Sequence, residues 1–208
     1  PIQGCLPNLK VKHYLQFLSK YCKRNNIILV FDEMITGIRT DMGSAQQYFK
    51  LKTDISTFGK AFANGTPIGF VGVSKKIEQQ IKKRGLNIYF GGTFSGNSMT
   101  TFFAKEYLLY LRKNKKKVFS YLEKISQKFE SHINLFCIKN NIDVKVYRFF
   151  SMIRLIYSSN KDIHDKSSRD FFEKKKSKDI EKLKSFLIKN KINYPKNGII
   201  FFSYSSST

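Results

Sequence analysis

The run IILVF (residues 27–31), followed at once by Asp32 and Glu33, restricts the fold more than any other stretch. An unbroken apolar run of this length reads as a strand buried on both faces, as in parallel sheets. Ahead of it, NLKVKHYLQFLSKYCKRNN places Val11, Tyr14, Leu15, Leu18 and Cys22 at helical spacing behind Asn8 as N-cap. Helix, buried strand and then carboxylates at the strand's carboxyl end form the layout of an α/β site, because ligands gather beyond strand C-termini.

Further along, DISTF and PIGFVGV (67–73) read as strands and SKKIEQQIKK as a surface helix. NIYFGGTFSGN reads as a short strand and a glycine turn, followed by a helix from about Ser98 to Arg112. Ten of the 12 glycines lie between Gly37 and Gly96, where they permit tight turns or close approach of backbone to a ligand. Beyond Arg112 glycine is scarce. A long amphipathic helix over 118–138, two short strands in VKVYRFFSMIRLIY, a lysine-rich helix over 168–189 and a last strand in GIIFFSY indicate a separate α+β region, with its boundary near 112–117.

Within this pattern Lys60 stands out. It follows Gly59 at the end of a strand-like run, among Ile55, Phe58, Ala61, Phe62 and Ala63. Burial among apolar groups would disfavour the ammonium form and yield an amine nucleophile. The competing reading is a lysine snorkelling from a helix start.

The net charge of +23 raises nucleic acid or an anionic membrane surface as partners. The excess is nearly all lysine, however. Arginine, the better group for bidentate contacts, occurs seven times, and no nucleic-acid-binding module accompanies the charge. The lysine runs therefore read as solvated faces. Three cysteines (Cys5, Cys22, Cys137) and three histidines (His13, His132, His164) are scattered without ligand spacing, so neither a metal site nor a disulfide framework is expected. No run is long enough to span a bilayer and the start carries no secretory pattern, so a cytoplasmic setting is expected.

Three features converge. Asp32 ends one strand, Lys60 ends the next, and Thr93–Ser95 lie in a glycine turn before a helix. A carboxylate can hold a cationic ring nitrogen, a desolvated lysine can form a Schiff base, and hydroxyls at a helix start suit a phosphate. Together these describe pyridoxal phosphate. Taken singly, Asp32 is equally a turn carboxylate, Met34 a core residue, and Thr93 part of a plain turn.

LVFDEMITGIRT, DISTFGKAFANGTPIG and GGTFSGN resemble, in order and spacing, the core of class-III pyridoxal-phosphate aminotransferases, with 28 positions from Asp32 to Lys60. SAQQYFKLKTD and GGTFSGN are most similar to the glutamate-1-semialdehyde aminomutase branch. The resemblance implies part of the large domain of a fold-type I transferase (residues 1–112; a mixed, mainly parallel sheet with flanking helices). A smaller, incomplete α+β C-terminal domain (113–208) would follow. It implies that Lys60 carries the cofactor as a Schiff base and moves the proton, and that Asp32 keeps the pyridine nitrogen protonated. Met34 would pack on the ring face, and Thr93 would reach the phosphate of a neighbouring subunit in a homodimer with shared sites. The substrate would be a small amino donor or acceptor.

Two positions depart from the pattern. Ser98 follows Asn97 where the family commonly has proline. Cys5 stands where the aminomutase branch usually shows asparagine, which leaves transaminase and mutase both open. The chain also opens inside a motif that the family begins with glutamate, and it lacks the upstream phosphate loop. It is expected to be an internal fragment, catalytically poor alone. The alternatives are a truncated, non-catalytic remnant or a basic nucleic-acid-binding protein.

Overall fold

In the computed structural model, residues 9–89, 91–158, 163, 165–195 and 198–206 are described. Cys5, Asn8 and His164, singled out above, lie outside them. The chain divides into two compact units, one formed by Lys12–Lys117 and the other chiefly by Val118–Thr208.

The first unit opens within helix α1 (Leu9–Arg24), whose last turn carries Lys23 and Arg24 against the negative end of the helix dipole. Leu15 and Cys22 are buried but Tyr14 is 60% exposed, so the apolar stripe is narrower than the spacing implies. Strand β1 (Val30–Asp32) is shorter than IILVF. It is also covered on one face instead of two, with Phe31 at 4% exposure and Val30 at 53%. Successive strand side chains point to opposite faces, and among the described residues nothing covers the face that carries Val30.

The crossover from β1 contains the short helix α2 (Ser44–Phe49) and leads to strand β2 (Ile55–Gly59). Parallel strands require such a connection. β2 runs parallel to β1, with Asp32 paired to Thr57. A 3-10 turn (Lys60–Ala63) follows, and strand β3 (Gly69–Val73) returns antiparallel to β2. The sheet order is β1-β2-β3.

Helix α3 (Lys75–Lys83) is capped by Ser74, whose hydroxyl accepts from the Ile77 N–H at 3.4 Å. The strand expected in NIYF is not formed over 86–89; Leu86, Ile88 and Tyr89 are exposed, with no strand paired to them among the described residues. The helical span α4 (Ser98–Lys139) contains one non-helical residue, Asn114 (φ −106°, ψ 15°). Its side-chain amide donates to the Tyr110 carbonyl at 3.0 Å, which competes with the regular backbone ladder.

In the second unit, strands β4 (Val144–Phe149) and β5 (Met152–Tyr157) form a hairpin, and β6 (Ile199–Phe201) adds antiparallel to β5. Asn134 clips α4 to β4, accepting from the Val146 N–H at 2.7 Å and donating to the Val146 carbonyl at 3.1 Å. The lysine-rich stretch forms two helices instead of one, α5 (Lys166–Lys175) and α6 (Ser177–Lys189), parted at Lys176. Ile156 and Ile163 make a buried core with Tyr147 and Phe172 packed on it.

Candidate active site at the ends of the parallel strands

Asp32 is the last residue of β1, and Lys60 follows the last residue of β2, so the parallel pairing brings a carboxylate and an amine to the same end of the sheet. Asp32 Oδ1 accepts from the Met34 N–H at 2.9 Å and from Thr57 Oγ1 at 3.3 Å. Oδ2 has no partner among the described residues, so the carboxylate is anchored through one oxygen and presents the other. Met34 reaches across to β2. Its Cε lies 2.6 Å from where a Cβ on Gly59 would sit, which puts the thioether directly over the residue preceding Lys60.

Lys60 is exposed, against the expectation that its apolar neighbours would bury it. The reason is geometric. Phe58, Phe62 and Phe70 pack on one another, with ring centroids 4.8–5.2 Å apart, so the aromatic surface is spent on joining β2, the turn and β3. The Lys60 backbone is held at φ 50°, a left-handed conformation that costs a non-glycine residue about 1–2 kcal/mol. Such strain persists only where the surroundings over-determine it. Here Phe62 also packs on Gly37, where a Cβ would come within 2.5 Å of its ring. The loop after Asp32 and the turn that begins at Lys60 are thereby fixed to each other.

Thr93 stands elsewhere in the same unit. It lines a cavity of about 1300 Å³ with Phe62, Phe70, Phe94, Leu108 and Arg112, whose walls include none of Asp32, Met34 and Lys60. Met34 packs on Gly59, the residue before Lys60, while Thr93 belongs to the lining of the cavity. The donor set fits pyridoxal phosphate at its ring nitrogen and its aldehyde: an unbonded carboxylate oxygen for a cationic N–H, and an exposed primary amine.

The second carboxylate at the end of β1, to which the sequence alone assigns no separate role, lies beside these. Glu33 is fully buried, and its carboxylate accepts from Thr36 Oγ1, from the Ala45 N–H at 3.2 Å and from the Gln46 N–H at 3.0 Å. In the second unit, Arg148 is ion-paired to Glu123 (2.7 Å) and Glu130 (2.9 Å), and Arg154 to Glu173 (2.9 Å). Both guanidinium groups are therefore engaged structurally.

A family model described as aminotransferase class-III matches residues 1–147. The chain belongs to the class-III aminotransferase family. Over 179 residues it is 36% identical to the glutamate-1-semialdehyde 2,1-aminomutase of Methanococcus maripaludis, an alignment covering 86% of this chain and 39% of that protein. Among solved structures, an omega-transaminase from Sphaerobacter thermophilus superposes with a TM-score of 0.77 at 20% identity, covering 95% of this chain and 44% of that one. A glutamate-1-semialdehyde aminomutase from Pseudomonas aeruginosa in complex with PMP gives a TM-score of 0.75 at 16% identity, covering 91% and 43%. These likenesses establish the fold, that of the fold-type I transferases. The class-III chain spans about two fifths of the length of the curated relatives it matches. Among its described residues no helix is long and apolar enough to cross a membrane, and no three His, Cys, Asp or Glu side chains gather as metal ligands.

Proposed function

We propose that the protein is a pyridoxal-phosphate-dependent aminotransferase or aminomutase acting on a small amino-bearing substrate, with Lys60 and Asp32 as its catalytic residues. The observation that carries this reading is the placement of Asp32 and Lys60 at the same ends of two adjacent parallel strands. Bound there, the cofactor would supply an electron sink for a carbanion at the substrate carbon bearing nitrogen.

Asp32 Oδ2 is the oxygen available to accept from the protonated ring nitrogen. Its other oxygen, held by Met34 N–H and Thr57 Oγ1, fixes its direction. Lys60 Nζ is the amine that would hold the cofactor's aldehyde carbon and, when free, the base that moves a proton to and from the substrate. Met34 would cover one face of the ring. Thr93 would serve the phosphate of a second subunit, which would make the active assembly a homodimer. Residues 1–112 then supply part of the cofactor-binding domain and residues 113–208 part of the small domain, within a chain of the relatives' length.

The test is reduction of the protein loaded with pyridoxal phosphate by borohydride, followed by peptide mapping. The adduct is expected on Lys60, and an adduct on a different lysine refutes the assignment. Dependence on an added keto acid separates the two activities, because a mutase returns the amino group to the same carbon skeleton and needs none.

A further inference from the structure

Glu33 spends its carboxylate entirely on the scaffold. At 0% exposure it collects Thr36 Oγ1 and the Ala45 N–H on Oε2 and the Gln46 N–H on Oε1. Its own N–H donates to the Thr57 carbonyl at 2.9 Å, across from Asp32. Gln46 passes the connection on: its side-chain amide donates to Ser56 Oγ at 2.9 Å and accepts from Thr53 Oγ1 at 2.6 Å. A chain of bonds thus runs from the residue after Asp32, through the start of α2, to β2, the strand that ends just before Lys60.

We propose that Glu33 is a positioning residue for Asp32. By clamping the 33–46 loop onto β2, it keeps the Asp32 carboxylate turned so that Oδ1 stays on the Met34 N–H while Oδ2 faces outward. The argument rests on the reading of Asp32 as the partner of the cofactor's ring nitrogen. Buried acceptors of this kind are not replaceable by an amide. Whichever way the side-chain amide introduced by Glu33→Gln were turned, its NH2 would face a backbone N–H, from Ala45 in one orientation and from Gln46 in the other, and a buried donor would lose its partner.

Glu33→Gln is compared with Asp32→Asn and with the parent protein, each with and without pyridoxal phosphate. In Glu33→Gln, the Met34 amide is expected to exchange with solvent about tenfold faster, the size of one lost charge-assisted hydrogen bond. The Thr57 and Phe58 amides should keep their protection. The pH profile of the bound cofactor's visible absorbance should move in the same direction as in Asp32→Asn. Unchanged Met34 exchange overturns the proposal. So does a uniform loss of protection across β1, β2 and β3, which marks Glu33 as scaffold alone.

Should Glu33→Gln fail to fold, Thr36→Val removes one donor and leaves both backbone bonds. It should produce a smaller change at Met34 in the same sense, and no change there refutes the proposal equally. If Asp32→Asn leaves the absorbance profile unmoved, the cofactor reading of Asp32 falls. Met34 exchange then decides for or against Glu33 without it.

Discussion

Gly59 is the residue on which the geometry around Lys60 can be tested without any cofactor. Its backbone is extended (φ 175°, ψ −151°), so alanine there meets no conformational penalty, and loss of chain freedom in the unfolded state would favour it by about 0.4–1 kcal/mol. Space decides instead. The added Cβ would sit 2.6 Å from Met34 Cε and 2.8 Å from the Ile68 carbonyl oxygen. The first contact is the far end of a flexible side chain and yields at little cost. The second is backbone at the head of β3, held by the Gly59–Gly69 pairing, and must move bodily. Overpacking of this kind costs about 1–3 kcal/mol, so the mid-range values leave a net destabilisation of about 1.3 kcal/mol. The chain has no tryptophan, so urea unfolding followed by circular dichroism is the assay, with amide exchange at Phe70 and Val71 reporting locally. Met34→Ala should recover only a small part of the loss, because it relieves the side-chain contact and not the carbonyl. Full recovery in the double variant, or a Gly59→Ala cost below about 0.5 kcal/mol, would refute the claim that β3 backbone closes over this position.

Two further predictions concern the second unit. Arg148→Ala strands Glu123 and Glu130 beside each other. Discounting the value for a buried pair because the Glu123 side chain is 39% exposed, the loss is about 2 kcal/mol in urea midpoints, with Arg148→Lys intermediate. Tyr157 is neutral when protonated, and burial, aided by Tyr194, Asp179 and Cys137, raises its pKa from 10.0 to about 12. Its share of stability is therefore complete below pH 10 and is lost as pH rises through 12; it amounts to about 1–2 kcal/mol after allowance for a partly wetted ring. Tyr157→Phe should show a flatter stability curve between those values, and an identical curve would contradict the assignment.

What could be read from residues alone followed local rules. The strand ending at Asp32, the strand running up to Lys60, the helix in SKKIEQQIKK and the two strands in VKVYRFFSMIRLIY each carry their signal within a few positions, and each is present, with β2 ending one residue early at Gly59. The errors arose where the outcome depended on partners distant in sequence. The composition of IILVF permits burial on both faces, but burial of Val30 requires a neighbour that the described residues do not provide. NIYF has strand-like composition, but over 87–89 no strand pairs with it among the described residues. Phe58 and Phe62 flank Lys60 in sequence and favour its burial, yet those rings turn toward Phe70. Glu33 carried a visible signal, a second carboxylate directly after the first, but its three donors lie 3, 12 and 13 positions away and no spacing rule links them.

The contrast between Asp32 and Glu33 follows from their being neighbours at a strand end. Adjacent strand residues point to opposite sides, so one peptide unit serves two environments. On one side Glu33 has every acceptor direction but one filled by loop and helix donors. On the other, Asp32 is tethered through Oδ1 and open at Oδ2. A carboxylate that must accept a proton-bearing cation needs an unfilled oxygen, and an unfilled oxygen on an exposed side chain is mobile unless its backbone is fixed. Fixing that backbone from the opposite face leaves the working face clear. Under the proposed roles, the two acids divide between them the tasks of holding still and of staying available.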